Sequence, residues 1–229
     1  MLDSTSSRLH RVAIATLLAL WVGAGSALAF QPTDQARSVH GFVIVPHCAQ
    51  QAFDDEEAEG FGPFVARAVA TVGCPVASAS ATGDQRSRIS QSALIARGRA
   101  VSNAAADHQG VIHAIAASHY SVTFDVATLT PYTLRGRISA GASAENVFVF
   151  AVASVRLVDA AGQPLADYEV EPGDEGAQQT VIIDQSGVLE PGEHTLTTES
   201  STVIDNYVPP NGSVQANFEL VFRTPGETP

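Results

Sequence analysis

Strict two-residue alternation near the C-terminus is the tightest constraint on what this chain folds into. Between Ser213 and Arg223 the even positions are Val214, Ala216, Phe218, Leu220 and Phe222, and the odd ones are polar apart from Val221. Successive side chains on a strand point to opposite faces, so the pattern describes a half-buried antiparallel strand. Residues 111–126 alternate in the same way. Ile112, Ala114, Ala116, Tyr120, Val122, Phe124 and Val126 share one parity, while His113, His119, Ser121, Thr123 and Asp125 share the other. A bulge or turn near Ser118 would split this run in two without changing the faces downstream.

Further strands are expected at 132–139, 147–158, 165–170, 179–184 and 194–203, with turn chemistry between them. The run VFVFAVASVRLV at 147–158 is nearly continuous in apolar character, as in a central strand covered on both faces. Asp159-Ala-Ala-Gly162 reads as a hairpin, and Ser186-Gly187 and Pro191-Gly192 as turns. Toward the N-terminus, 39–45, 64–72 and 88–100 look like strands. The acidic stretch 50–60, with Asp54, Asp55, Glu56, Glu57 and Glu59, reads as a loop or one short helix. Short strands with Gly/Pro turns and little helical periodicity predict an all-β protein, an antiparallel β-sandwich or jelly roll. The expected organisation is a signal peptide over 1–29, an N-terminal part of the β-domain over 30–110, and a sandwich core over 111–229.

The export signal is read from Arg8, His10 and Arg11, then the apolar run 12–23, then Ala27-Leu28-Ala29 as a small-x-small cleavage pattern. That apolar run is shorter than the ~20 residues a spanning helix needs. The mature chain is therefore expected to begin at Phe30, outside the cytoplasm, secreted or periplasmic, with no membrane span. In an oxidising compartment its two cysteines, Cys48 and Cys74, predict one disulfide.

The stretch from about Ala116 to Phe222 resembles a group of secreted bacterial β-sandwich domains often found upstream of PEP-CTERM sorting tails. The residues that carry the resemblance begin with Phe124-x-Val126, Pro131-Tyr132-x-Leu134-x-Gly136-x-Ile138 and Val155-x-Leu157. They continue through Gly162, Ser186-Gly187-x-Leu189-x-Pro191-Gly192-x-His194-x-Leu196 and Ala216-x-Phe218-x-Leu220. His194 stands where the pattern has a tyrosine. The ending Arg223-Thr-Pro-Gly-Glu-Thr-Pro229 has no Pro-Glu-Pro signal, so anchoring by that route is not expected. The resemblance implies a sandwich and no particular activity, so it assigns no residue a role.

Charge narrows the function classes. The chain has 12 Lys+Arg against 24 Asp+Glu, a net charge of −12, and only 16% charged residues. Taking away Asp3, Arg8 and Arg11 leaves ten arginines, no lysine and 23 acids in 30–229. That balance argues against a nucleic-acid binder, which needs clustered cations.

No nucleophile elbow, zinc-protease helix or phosphate-binding glycine loop is present. His113, His119 and Asp125 share a face, but two histidines six residues apart lie ~20 Å apart on a straight strand, too far to share an ion. The acidic stretches 54–59 and 171–175 lack the alternation of a calcium loop. The mature chain has no tryptophan, and of its tyrosines Tyr120 and Tyr132 fall on core-facing parity, leaving Tyr168 and Tyr207 in or beside loops. The weak ligand-site candidates are thus Tyr168, Tyr207, His113 and His119, with no catalytic residue, metal or cofactor expected. The function expected is that of a non-catalytic structural or interaction protein, its partner a glycan or another extracellular protein. A carbohydrate-binding module for matrix or cell-wall glycan is one alternative, and a hydrolase with an unrecognised site the other.

Overall fold

The computed structural model describes residues 30–107, 111–144, 148–173, 176–206 and 211–225. The expected signal peptide and Tyr207 lie outside the described residues. Twelve strands follow one another: β1 (Phe30–Val45), β2 (Gln50–Glu57), β3 (Phe64–Cys74), β4 (Ala77–Ile89), β5 (Ala93–Ala106), β6 (Ile112–Val126), β7 (Thr130–Ala144), β8 (Phe148–Val158), β9 (Pro164–Val170), β10 (Gln179–Leu189), β11 (Gly192–Asn206) and β12 (Asn211–Arg223).

They form two six-stranded antiparallel sheets packed face to face. The first runs β2-β1-β6-β11-β8-β9 and the second β10-β7-β12-β5-β4-β3. From β5 onward the chain winds as a jelly roll, with β6-β11-β8-β9 in one layer and β5-β12-β7-β10 in the other. Two N-terminal hairpins then widen it, β1 and β2 beside β6, and β3 and β4 beside β5. The all-β sandwich expected from alternation is thus the fold observed. Among the described residues no helix is long and apolar enough to cross a membrane.

The alternation of β12 and β6 is realised as read. Val214, Ala216, Phe218, Leu220 and Phe222 point inward from β12, and Tyr120, Val122, Phe124 and Val126 from β6. β6 is continuous through Ser118. Rings from both layers meet at one end of the core. Phe124 lies 4.5 Å from Phe30 and 5.4 Å from Phe222, and Phe222 stacks on Tyr132 at 5.7 Å.

Elsewhere the layers touch through small residues. A methyl group added at Gly83 on β4 would lie 2.4 Å from the Ala117 carbonyl oxygen of β6, on the opposite sheet. The inward side of β4 is accordingly Ala79, Ala81, Gly83, Gln85 and Ser87, which no hydrophobic pattern announces.

Several local expectations change. The stretch 88–100 is not one strand: it closes β4 and opens β5 around a turn in which Ser90 and Ala93 bond each other. The acidic stretch 50–57 is the edge strand β2, where alternation has nothing to bury. β10 runs straight through Ser186-Gly187. Gly187 packs under the Tyr132 ring, where a Cβ would sit 2.7 Å from it, so this glycine answers to packing, not to a turn.

β8 is second from an edge and its outer side is open, with Phe150 46% exposed. Its outward apolar residues join a row across the first sheet, in the order Phe53, Phe42, Ile115, Val203, Phe150. The hairpin at Gly162 is as expected: its φ of +74° suits glycine, and the Asp159 carboxylate accepts the N–H groups of Ala161 and Gln163.

Cys48, in the short 3-10 turn after β1, is bonded to Cys74 at the end of β3, with Cα atoms 5.9 Å apart. The bridge ties the β1–β2 turn of one sheet to the β3–β4 turn of the other. Its formation fits an extracellular protein.

Candidate functional site

The residues singled out by sequence do not converge. His113 and His119 both stand on the outer side of β6, on one uninterrupted strand. His113 Nδ1 lies 3.1 Å from the Asp205 carboxylate of β11, while His119 lies opposite Ser38 and Glu199. Asp125 lies opposite Gln31 and Glu193. Among the described residues no group of three or more His, Cys, Asp or Glu is placed to hold a metal ion. The acidic run of β2 is split by the pleat. Asp54 reaches across to accept the backbone N–H of Val69 at 2.8 Å, and the neighbouring Asp55 faces the other way, opposite His40.

Tyr168 is on β9, two residues before the strand ends, and it packs against the core. Its hydroxyl donates to Gln185 Oε1 at 2.9 Å, and Gln185 Nε2 in turn donates to Tyr132 Oη at 3.1 Å and to the Leu165 carbonyl. This network laces β7, β9 and β10 together and engages the Tyr168 hydroxyl within the sandwich. Burial pushes the Tyr132 phenol above its ordinary value, with the Gln185 hydrogen bond acting in the opposite sense. His194, which replaces the tyrosine of the resembling domains, is buried and stacked on Phe124, and its Nε2–H donates to the Glu190 carbonyl.

One guanidinium is buried with no carboxylate on it among the described residues. Arg37 of β1 points into the sandwich and is held by polar oxygens: Gln35 Oε1 at 2.7 Å, the Gly62 carbonyl at 2.8 Å, the Ser87 hydroxyl, and the Gly60 carbonyl. Its guanidinium also lies over the Phe64 ring, 5.5 Å from the centroid. Burial pulls Arg37 below its ordinary pKa, opposed by the nearby Tyr120, whose own buried phenol is pushed well above its usual range.

Arg37 therefore fastens the 58–63 connection to the core. Arg37→Met is expected to lower unfolding stability by about 2–4 kcal/mol, since the carbonyls lose a charged donor. Urea unfolding would measure the loss, and cleavage by protease within 58–63 would locate it.

The feature that sequence reading missed is a field of arginines. β4 carries Arg86 and Arg88, β5 carries Arg97 and Arg99, and β7 carries Arg135 and Arg137, every one exposed on the outer face of the second sheet. Arg67 of β3 and Arg223 of β12 stand on the same face. Eight of the ten arginines in 30–229 thus share one surface with three acids of the same sheet, Asp84, Asp184 and Glu219, and Glu56 of β2 reaches the hollow beside Arg86 and Arg97. Net charge concealed this clustering. The signal was present as Arg-x-Arg on three strands, the same period of two applied to charge.

The intervening Gly98 faces inward, where a Cβ would lie 2.3 Å from the Phe218 ring, so Arg-Gly-Arg sets both arginines outward over a close sheet contact. Three of the eight have acidic partners, Arg67 with Asp84 at 3.4 Å, Arg135 with Asp184 at 3.0 Å and Arg137 with Glu219 at 3.8 Å. Among the described residues no carboxylate lies within 4.0 Å of the other five. Two shallow hollows, of about 290 and 580 Å³, open on this face and share Arg97 and Arg99.

Comparison with known proteins adds little to this geometry. No family model matches the chain, and no curated protein matches it. Among solved structures it is similar to an arabinose-bound α-L-arabinofuranosidase, MgGH51, at 13% identity and a TM-score of 0.24, over 62% of this chain and 23% of that one. It is also similar to the enzymatically active domain of bacteriophage CBA120 tailspike protein 4, at 12% identity and a TM-score of 0.24, over 69% and 19%. A third similar structure is that of infectious bursal disease virus, Gx strain, at 10% identity and a TM-score of 0.26, over 90% and 60%. The chain spans less than two thirds of the length of each. At these scores none of them carries an argument, and the class defined by the fold is that of a two-sheet antiparallel β-sandwich.

Proposed function

We propose that this chain is a secreted, non-catalytic interaction protein that binds through the broad outer faces of its sheets. The observation that carries the reading is the make-up of those faces. One bears eight arginines with exposed Val65, Ile95 and Ile182 among them, and the other bears the apolar row that ends in exposed Phe53 and Phe150, among acidic residues such as Asp205, Glu199 and Asp55. Large single-sign fields and exposed apolar rows mark interaction surfaces. The engagement of Gln185 with Tyr168 and of Arg37 with the 58–63 connection in structural hydrogen bonds supports the non-catalytic reading. The Cys48–Cys74 bridge and the resemblance to secreted bacterial sandwich domains support the extracellular setting.

The test is to incubate the full chain with panels of glycans, esters and peptides, reading retention and turnover side by side. Retention of a ligand without release of product is expected. Catalytic release of product from any panel member would overturn the reading.

A further inference from the structure

We propose that the outer face of the second sheet binds a linear polyanionic glycan, a polysaccharide bearing carboxylate or sulfate groups along its length. This rests on the reading of the chain as an interaction protein and names the ligand class for one of its faces.

The argument begins with register. Arg86 of β4 lies directly opposite Arg97 of β5, and like charges in that relation on neighbouring strands are destabilising. The next position in the same row is Glu219 of β12, and its carboxylate is engaged by Arg137 on the far side. The chain therefore holds two guanidinium groups side by side with no carboxylate within 4.0 Å of either among the described residues, an arrangement that an external anion would relieve. Arg99 stands two residues from Arg97 on the same face, about 7 Å further along the strand, opposite Asp84, whose carboxylate is engaged by Arg67 on its other side. The two hollows meet over Arg97 and Arg99.

A ligand lying across the strands meets cations on β4, on β5 and, beyond β12, on β7, at intervals of ~4.8 Å and twice that. Asn217 of β12 stands between them, and Thr180 of β10 lines the same hollow, the two supplying an amide and a hydroxyl suited to sugar hydroxyls. Every one of the fixed cations is an arginine, whose planar fork pairs two oxygens of a carboxylate or sulfate at once.

The acidity of the whole chain does not oppose this. The acids of the first sheet's outer face lie across the full thickness of the sandwich. At physiological ionic strength charges separated by more than the ~8 Å Debye length are largely screened.

A nucleic acid fits the face less well. Single strands are held by aromatic side chains on which bases stack, and no aromatic residue stands on the outer side of β3, β4, β5, β7, β10 or β12 among the described residues. A duplex is read by an element that enters a groove, and this surface is the flat of a sheet.

The experiment uses the full chain on columns of polygalacturonate (carboxylate), dextran sulfate (sulfate) and neutral dextran, with duplex and single-stranded DNA columns alongside. Retention is read as salt rises to about 0.15 M. Retention on polygalacturonate, dextran sulfate or both, falling with salt and absent on neutral dextran, is expected, and the two arms identify the anion. Combining Arg86→Ser, Arg97→Ser and Arg99→Ser is expected to weaken retention about tenfold or more, since each lost cation removes counterion release. Arg156→Ser, on the opposite face, should leave it unchanged. All four positions are exposed, so far-UV circular dichroism and melting should match the parent.

The proposal falls if the triple variant is held as tightly as the parent, or if DNA is retained while both charged glycans pass. It also falls if the arginines instead support salt-sensitive self-association with neither glycan held. DNA retention or self-association would leave the interaction reading standing. Release of sugar fragments from a retained glycan would remove that reading as well.

Discussion

Phe222→Ala is expected to destabilise the protein by about 3–5 kcal/mol, the cost of emptying a buried aromatic site. Phe222 is fully buried at the meeting point of the two layers. It touches Phe124 from the first sheet at 5.4 Å, Phe30 at 5.9 Å and Tyr132 of its own sheet at 5.7 Å. Removing its ring therefore costs transfer free energy and three ring–ring contacts at once. The surrounding strands, pinned in register, cannot collapse into the space.

For a chain of this size each kcal/mol moves the melting midpoint by roughly 2–4 °C, so the variant should melt about 10 °C or more below the parent. Substituting the half-buried, outward-facing Val221 next to it by alanine should shift the midpoint by no more than about 2 °C. Equal shifts for the two substitutions, measured by calorimetry, would mean that the ring cluster does not join the layers.

Opening the Cys48–Cys74 bridge is the second large effect. The bond closes a loop of 26 residues' separation, and chain-entropy estimates put its contribution at about 3–4 kcal/mol. The position enlarges the consequence. The bridge joins the turn after β1 to the end of β3, next to the buried Val45 and Val72, so it ties the two sheets where the N-terminal hairpins meet.

Combining Cys48→Ser with Cys74→Ser is expected to lower the melting midpoint by about 10 °C. Reductant should then shift the parent and leave the double variant unmoved. A parent melting curve insensitive to reductant, with no thiol titrated before or after, would mean that the bond is shielded. Two freely titrating thiols in the untreated protein would mean that it is absent.

How much was legible depends on what each strand had to bury. β12 and β6 face the core with Phe218, Phe222, Tyr120 and Phe124, so the hydrophobic period of two was plain. β4 faces it with Ala79, Ala81 and Gly83, because at Gly83 the opposing backbone is too close for any side chain. A strand selected for thinness leaves no apolar trace. β2 lies at an edge with Asp54 to Glu57 wet on both sides, and there the alternation principle has no purchase.

The surroundings of Tyr168 were illegible for a related reason. Only the partner Gln185, 17 residues away on β10, shows that its hydroxyl is satisfied within the sandwich. The chain's overall acidity pointed away from anion binding, since a sum over residues carries no information about position.

Local alternation thus determined by itself that this is a layered β protein, which residues of its strongest strands face inward, and that Arg-x-Arg on a strand shows both guanidinium groups to one side. The tertiary structure alone decided that three such strands belong to the same sheet, that Arg86 faces Arg97 across adjacent strands, and that β12 sets Glu219 between Arg97 and Arg137. The physical reason is that side-chain direction follows from the pleat of each strand, whereas strand order and register are settled by pairings between segments far apart in the chain.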